Sequence, residues 1–446
     1  MISVAYVHRL VKRLFEEDAP RLARQVGMRQ RHLRFTQLAL LLVLGWWQQP
    51  ASGPSALARF AGSLGVSLSK QAIDERWSQR TADWLLALLQ QAVQYVVSRQ
   101  GSAPDWMKPF AAVWVEDGST ISLPPPLAWL WRGCGGSCAK EGKDDTGAAA
   151  VKATLRMDLK GGQWQGPYLQ DGRRHEASSP VSTLPLAPGS LWLADLGYWS
   201  LTRMRLLLTQ GVYFCLRVKL YTVFWYQQQR TDVLTLIESV PPETRQAEWQ
   251  VHVGASQQVK NVRLLVQRVP ETVLAQRQER IREYARKHSK PVNELALQVA
   301  GWNIVVTNLP SSLVSGEQAF VLLKARWQIE LVFKLWKQEA LVDEWSSQNP
   351  WRILCEVYAK LLAMVVQHWL MLLTCEDDPN ASWLGVAEIL REQVPLLAHG
   401  FARHLPLGKA IRLAVESVAG GCSIEARRTR LSTSRLIQSA FDRSLT

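Results

Sequence analysis

The residues best suited to chemistry lie in one short segment, residues 324–337, which reads Lys-Ala-Arg-Trp-Gln-Ile-Glu-Leu-Val-Phe-Lys-Leu-Trp-Lys. If this segment is helical, Arg326, Glu330 and Lys337 fall at positions i−4, i and i+7 of one face. One acid then lies between two cations. Charges placed in this way suit a site that binds a metal ion and phosphate groups together.

Two further acids follow short apolar runs. Asp117 comes after residues 111–115 and Asp195 after residues 191–193, and both runs have the bulky composition of buried strands. In open α/β sheets, ligands bind at the carboxyl ends of strands, and a glycine just after the acid lets the backbone turn away. The sequence therefore predicts two strand ends that carry carboxylates.

Three such acids favour metal-dependent phosphoryl transfer. Two carboxylates on adjacent strands and a third on a facing helix can hold two divalent cations about 3.5–4 Å apart, which activate a nucleophile and stabilise a leaving oxygen. Mg²⁺ suits this role because it prefers hard oxygen ligands. Taken alone, an aspartate after an apolar run is more often a turn or cap residue. The joint pattern, with two cations beside the third acid, favours the site.

The composition is that of an ordered globular protein with a large positive charge. Of the 446 residues, 47% are apolar and 20% are charged; the formal net charge is +14 and the pI is about 9.7. The cations cluster in residues 1–34, 277–290 and 401–446. This excess predicts a polyanionic partner, with nucleic acid ahead of a membrane surface. The alternative for each cluster is a solvated helix face.

The six cysteines, at positions 134, 138, 215, 355, 375 and 422, are scattered and predict reduced thiols in a cytoplasm. The pair Cys134 and Cys138 has a possible zinc spacing, but no second Cys or His pair follows it, so a glycine loop is the better interpretation. The most apolar runs, residues 38–47 and 361–373, are too short to span a bilayer and predict buried core helices.

The hydrophobic pattern changes along the chain and predicts an α/β protein in five parts. Residues 1–105 are helical and form a predicted DNA-binding domain, residues 106–212 and 307–375 form a catalytic core, residues 213–306 form a β-rich insertion, and residues 376–446 form a basic helical region that begins with a linker. Within the first part, residues 56–76 read as helix, glycine turn, serine cap and helix. This order is typical of a DNA-binding helix-turn-helix and equally of any pair of antiparallel helices.

These blocks together resemble the DDE transposases of bacterial insertion sequences, in the insertion sequence four family and its subgroup with a Tyr-x2-Arg-x3-Glu-x6-Lys signature. Asp117-Gly-Ser is similar to the first block, Asp195-Leu-Gly-Tyr to the second, and Arg326-Trp-Gln-Ile-Glu330 with Lys337 to the third. Residues 69–76 and 301–310 are also similar to family members. The resemblance covers most of residues 30–375.

The resemblance implies a ribonuclease H-like catalytic core, interrupted by the β-rich insertion and flanked by helical N- and C-terminal domains. It implies that Asp117, Asp195 and Glu330 bind Mg²⁺, for which Mn²⁺ substitutes, and that Arg326 and Lys337 hold phosphates. The implied reaction is cut-and-paste transposition through a hairpin on the transposon end. The implied partners are the terminal inverted repeats and target DNA, bound by a homodimer, with no role for a membrane.

One position departs from the signature, because this chain has Leu323 where the family has its tyrosine. Leucine keeps the bulk and loses the hydroxyl contact to phosphate. We therefore expect the chain to bind the phosphates of the DNA end more weakly, or to contact them through Lys324 or Lys334 instead.

Three further residues are candidates for DNA contacts. The resemblance implies that Trp302 stacks on a flipped base, whereas packing in the core is the alternative for a tryptophan. Arg173 and Arg174 lie in a polar segment, residues 171–176, which is either near the site, where both would contact phosphate, or a simple turn.

Three other functions are compatible with the same residues. A two-metal DNA nuclease without strand transfer would need the same acids, and a sequence-specific DNA-binding protein with a decayed site would keep the basic regions. An RNA-binding protein could use the same cationic clusters. The presence of all three acids counts against a decayed site.

Overall fold

One mixed β-sheet runs through the middle of the chain in the computed structural model, which describes residues 2–30, 32–99, 103–134, 148–374, 382–418 and 433–442. Within these residues the sheet has ten strands in the order β3-β2-β1-β4-β5-β10-β9-β8-β6-β7. The strands are β1 (Val113–Leu123), β2 (Ala149–Asp158), β3 (Trp164–Asp171), β4 (Leu191–Ala194), β5 (Tyr213–Arg217), β6 (Phe224–Tyr226), β7 (Gln229–Thr231), β8 (Gln246–Val253), β9 (Val259–Arg268) and β10 (Trp302–Thr307).

The first five strands form one half of this sheet, named the catalytic half after the predicted catalytic core. β1 pairs in parallel with β4, and β4 pairs in parallel with β5, whereas β2 is antiparallel to both β1 and β3. Every residue of β4 is buried, as expected for a parallel strand in the middle of a sheet. The order β3-β2-β1-β4-β5 with these directions is that of a ribonuclease H-like core, so the predicted fold class is confirmed.

The insertion continues the same sheet. β10 is antiparallel to β5 on one side and to β9 on the other. β5 lies inside the predicted insertion range and belongs to both halves, because it also pairs with β4. Arg263 of β9 is buried, forms an ion pair with Glu248 at 2.6 Å, and donates hydrogen bonds to the carbonyls of Leu309 and Val314 at 2.9 and 2.8 Å. The insertion is thus bonded to the segment that leads back into the catalytic half.

Helices surround the sheet and form most of the two ends of the chain. Within the described residues they are α1 (Val4–Lys12), α2 (Ala19–Gln25), α3 (Phe35–Gln48), α4 (Pro54–Ala61), α5 (Lys70–Asp74), α6 (Gln79–Ala92), α7 (Pro180–Thr183), α8 (Leu201–Thr209), α9 (Val233–Glu238), α10 (Glu271–Lys287), α11 (Glu294–Val299), α12 (Gly316–Ala325), α13 (Trp327–Lys334), α14 (Pro350–Thr374), α15 (Trp383–Glu392), α16 (Val394–Phe401), α17 (Leu407–Glu416) and α18 (Thr433–Asp442). Two segments, Arg13–Asp18 and Leu335–Glu339, are π-helical.

α14 is the central helix of the α-helical layer. By length and composition, this helix of 25 residues could cross a membrane. However, 89% of its most apolar 18-residue stretch is buried inside the protein. The helix is longer than the predicted run, so the argument from insufficient length was wrong. The predicted burial is confirmed, and the run that includes residues 38–47 is likewise buried in α3.

The predicted helix-turn-helix segment has the expected order of elements. α4 is followed by Gly65, whose φ of +67° is a left-handed conformation that favours glycine. The hydroxyl of Ser69 accepts a hydrogen bond from the backbone N–H of Ala72 and caps α5. α5 has only five residues, and DNA reading by this unit stays a prediction.

Several predicted features lie outside the described residues. They are Cys138 of the possible zinc pair, the linker at 376–381, and the arginines at 427, 428 and 430. Cys134, Cys215 and Cys355 are described, and all three are free thiols.

Candidate active site

The parallel pairing of β1 and β4 brings the two aspartates side by side. Glu116 pairs with Ala194, so Asp117 and Asp195 occupy the next position in register. Asp195 follows β4 directly, as predicted. Asp117, however, does not end its strand, because β1 continues to Leu123 along β2. The predicted strand end there was wrong, and Gly118 does not turn the chain away. Its backbone N–H donates to the Asp117 carboxylate at 2.8 Å.

The segment 324–337 is not a single helix, contrary to the prediction. α12 ends at Ala325 and α13 begins at Trp327, with Arg326 at the junction. There the N–H of Arg326 bonds to the carbonyl of Leu323, three residues earlier, at 3.3 Å. The π-helical turn Leu335–Glu339 then follows α13.

All three predicted acids converge on the guanidinium of Arg326. Its nitrogens lie 3.2 Å from Asp117, 3.9 Å from Asp195 and 2.8 Å from Glu330. The Arg326 side chain is only 15% exposed, so these charges interact with limited screening by water. The structure therefore brings together the predicted acids and one of the predicted phosphate ligands.

The electrostatics of the site disfavour a full set of ionised carboxylates. Burial raises the pKa of Asp117 to about 6, although the Gly118 N–H and the Arg326 guanidinium both lower it. The nearby carboxylates of Glu176 and Asp195 raise this pKa further. One arginine thus compensates these negative charges only in part, and added positive charge would stabilise the ionised acids.

The donor set fits a divalent cation. Carboxylate oxygens are the hard ligands that Mg²⁺ and Mn²⁺ accept, and Asp117, Asp195 and Glu330 supply them. Within the described part of the chain, no group of three His, Cys, Asp or Glu side chains is already close enough together to hold a metal. Each of the three acids instead contacts the Arg326 guanidinium.

The predicted phosphate ligands on α12, α13 and the π-helical turn differ in their surroundings. Lys337 donates to the carbonyl of Thr120 at 3.1 Å, so it lies along β1, three residues beyond Asp117. Lys324 and Lys334 are exposed. Leu323 is partly buried against the main hydrophobic core.

The Arg-Arg segment lies beside the acids. Lys152 of β2 donates to the carbonyl of Arg174 at 2.7 Å and lies 3.9 Å from Glu176. The Glu176 side chain passes Gly118 closely, since a Cβ added at Gly118 would be 3.6 Å from Glu176 Cγ. Arg173 and Arg174 are exposed on this loop. Lys152 carries no motif in the sequence, so only the structure identifies its role in holding the loop.

A buried ion pair supports the strand that carries Asp117. Glu116 and Arg156 are both 0% exposed and lie 2.9 Å apart. Glu116 also accepts hydrogen bonds from Ser182 and from the Trp192 indole, and Arg156 also donates to the carbonyls of Val181 and Leu184. This network fixes β1, β2, β4 and α7 to one another. Nothing in the sequence pattern singles it out.

Trp302 lies at the same end of the strands as the acids, but its ring is packed against other side chains. β10 runs antiparallel to β5, with Val305 opposite Arg217, so Trp302 extends past the carboxyl end of β5. The side chain is buried in the insertion core at 7% exposure, and the Arg268 guanidinium lies 4.2 Å from its ring centroid. This packing favours the core alternative, and stacking on a base stays a prediction.

Replacing Trp302 separates these two roles. We expect Trp302→Ala to lower the free energy of unfolding by about 3–5 kcal/mol, because it removes a buried indole from the insertion core. Chemical denaturation measures this, with Trp302→Phe as the control that keeps most of the buried volume. An unchanged stability together with a loss of DNA-end cleavage would show that stacking is the main role.

The chain matches known proteins over most of its length. The family described as transposase DDE domain matches residues 110–366, the segment that holds all three acids. The transposase for insertion sequence element IS231F of Bacillus thuringiensis subsp. israelensis is 26% identical over 80% of this chain and 78% of its own. That for IS231D of Bacillus thuringiensis subsp. finitimus is 25% identical over 82% and 78%.

A solved structure also aligns with most of the chain. It is a piggyBac transposase in a synaptic complex with hairpin DNA, which covers 97% of this chain and 88% of that chain at 9% identity and a TM-score of 0.48. The family assignment comes from the match over residues 110–366, which is more than half of the sequence. The chain belongs to the transposases with a DDE catalytic domain.

Proposed function

We propose that this transposase moves an insertion sequence by cut-and-paste, cleaving and joining phosphodiesters at the terminal inverted repeats. The observation that carries the proposal is the convergence of Asp117, Asp195 and Glu330 on the one guanidinium of Arg326. Three acids that lie this close together are the donor set that we propose for a two-metal site. The similarity to transposases of insertion sequence elements supports the same function.

Magnesium is the metal that we propose, with manganese as a substitute, because all three ligands are carboxylates. When bound, the metal pair activates a hydroxyl nucleophile and stabilises the leaving oxygen of an in-line displacement. Asp117, Asp195 and Glu330 would hold the metal. Arg326, which contacts all three acids, would hold a phosphate of the DNA end together with Lys337.

The proposed partner is duplex DNA, both as the transposon ends and as the target. Exposed Lys334, Arg173 and Arg174 border the acids and can contact backbone phosphates. Two ends must meet for joining, so we propose a homodimer on DNA in the bacterial nucleoid. Light scattering of the protein with end duplexes measures the mass of the complex. A complex that contains a single protomer would contradict the proposed homodimer.

The decisive experiment supplies pre-cut ends and a target. Duplexes that carry the inverted repeats flanking the reading frame are incubated with a plasmid, Mg²⁺ and the full chain. We expect strand joining to the plasmid, and we expect none with Asp195→Asn, which keeps the side-chain shape and loses the negative charge. Cleavage of uncut ends without joining would identify a nuclease instead.

A further inference from the structure

α1, near the start of the chain, packs close to α17 in the folded protein. α1 buries Val7, Leu10 and Val11, and α17 buries its own apolar face against the same core. The approach is close, because a Cβ added at Gly408 of α17 would lie 4.0 Å from the His8 ring. The basic N-terminal helices and residues 401–418, far apart in sequence, are therefore neighbours in space, whereas α18 lies against α12.

A groove opens between these helices, away from the three acids, with a volume of about 420 Å³. Part of its lining is apolar: Gly400, Phe401, Leu405, Pro406 and Leu407. The polar lining is His8, Lys12 and Glu16 on the α1 side and Arg403 and His404 on the α16–α17 side. Four of these side chains are cations or imidazoles and one is an acid. Glu16 lies 3.9 Å from Lys12 and offsets a single positive charge.

The cations of the groove are exposed to solvent, although Lys12 is paired with Glu16. The Lys12 side chain is 53% exposed, and Arg403 is also exposed and has no ion pair or side-chain hydrogen bond among the described residues. Exposed Arg9 and Lys409 are adjacent to the groove in sequence and add to its positive charge. Exposed cations of this kind suit a hydrated polyanion better than a small anion enclosed in a pocket.

We propose that this groove binds the phosphate backbone of duplex DNA, so that the N-terminal and C-terminal parts form one composite DNA-binding surface. The inference rests on the proposed function, which supplies DNA as the partner. Contacts of this kind position the duplex without reading its sequence. They also place part of the binding energy away from the carboxylates that perform the chemistry.

The test removes one charge from each side of the groove in the full chain. Lys12→Ala keeps the helix, and Arg403→Asn suits the backbone there because Arg403 has a φ of +64°, which asparagine tolerates. Binding to an inverted-repeat duplex is measured against salt concentration without divalent metal. Each single variant should reduce the slope of log K against log[salt] by about 0.9, and the double variant by about twice that.

A matched control removes two exposed cations from the insertion, Arg230→Ala with Lys260→Ala. An equal change in slope for this control would overturn the proposal, since it would show a general effect of net charge. A change in only one of the two single variants would overturn the composite surface. Tighter competition by structured RNA than by duplex DNA would overturn the choice of partner.

The two proposals can fail separately. Binding is measured without metal or joining, so a wild-type chain that fails to join pre-cut ends would refute the proposed function and leave the salt slopes to decide the groove. Conversely, unchanged slopes in an enzyme that joins DNA would refute the groove alone.

Discussion

Replacing Glu330 with glutamine should lower the rate of end cleavage and joining by about a thousandfold, because the variant removes one charged ligand from the metal site. Glutamine keeps the shape of the side chain, so Arg326 loses a charged partner at 2.8 Å without a cavity being formed. The rate should be measured at saturating DNA with Mg²⁺. Binding of Mn²⁺, followed by its electron paramagnetic resonance signal, should weaken in parallel.

Glu317 supplies the matched control, since it is an exposed glutamate in the first turn of α12. Glu317→Gln makes the same chemical change on the helix before the site and should leave both rate and metal binding unchanged. Full activity in Glu330→Gln would refute the assignment of the third acid. Equal losses in both variants would point to a general effect of charge.

A second large effect is expected for Arg156→Met, which should lower the free energy of unfolding by about 3–5 kcal/mol. The substitution leaves the Glu116 carboxylate, which is 0% exposed, without the cation that lies 2.9 Å away. An uncompensated buried charge costs this much, whereas replacing both partners by uncharged groups is often nearly neutral. Urea denaturation followed by tryptophan fluorescence measures the difference.

The double variant Glu116→Gln with Arg156→Met tests the cause. If the unpaired charge is responsible, the double variant should recover most of the stability that the single variant loses. An equally unstable double variant would show that the hydrogen bonds of Arg156 to α7 matter more than its charge. A single variant within about 1 kcal/mol of the wild type would contradict the argument altogether.

The sequence was sufficient to predict β4, the acid that follows it and the β-rich insertion. β4 and Asp195 appear where the apolar run at 191–193 ends, and the predicted insertion at 213–306 contains β5 to β9, with β10 at its end. The end of β1 was mispredicted because an apolar run shows only the buried part of a strand. The polar half of β1, beyond Asp117, owes its conformation to pairing with β2, which a local pattern does not reveal.

The remaining features depend on contacts between distant residues. Arg326 was expected to serve phosphate alone, and its contact with Asp117 joins residues 209 positions apart. Three other contacts are equally non-local. They are the ion pair of Glu116 with Arg156, the hydrogen bond from Lys152 to the carbonyl of Arg174, and the contact of α1 with α17. Local spacing encodes none of these, because each depends on how the sheet and the helices pack.

The unbroken sheet has a mechanical consequence. β10 pairs with β5, and β5 pairs with β4, the strand that ends just before Asp195. Arg263 bonds the insertion to the segment before α12. A force applied to the insertion along the strands would therefore be carried by rows of backbone hydrogen bonds under shear. DNA that pulled on the insertion would load both sides of the active site at once.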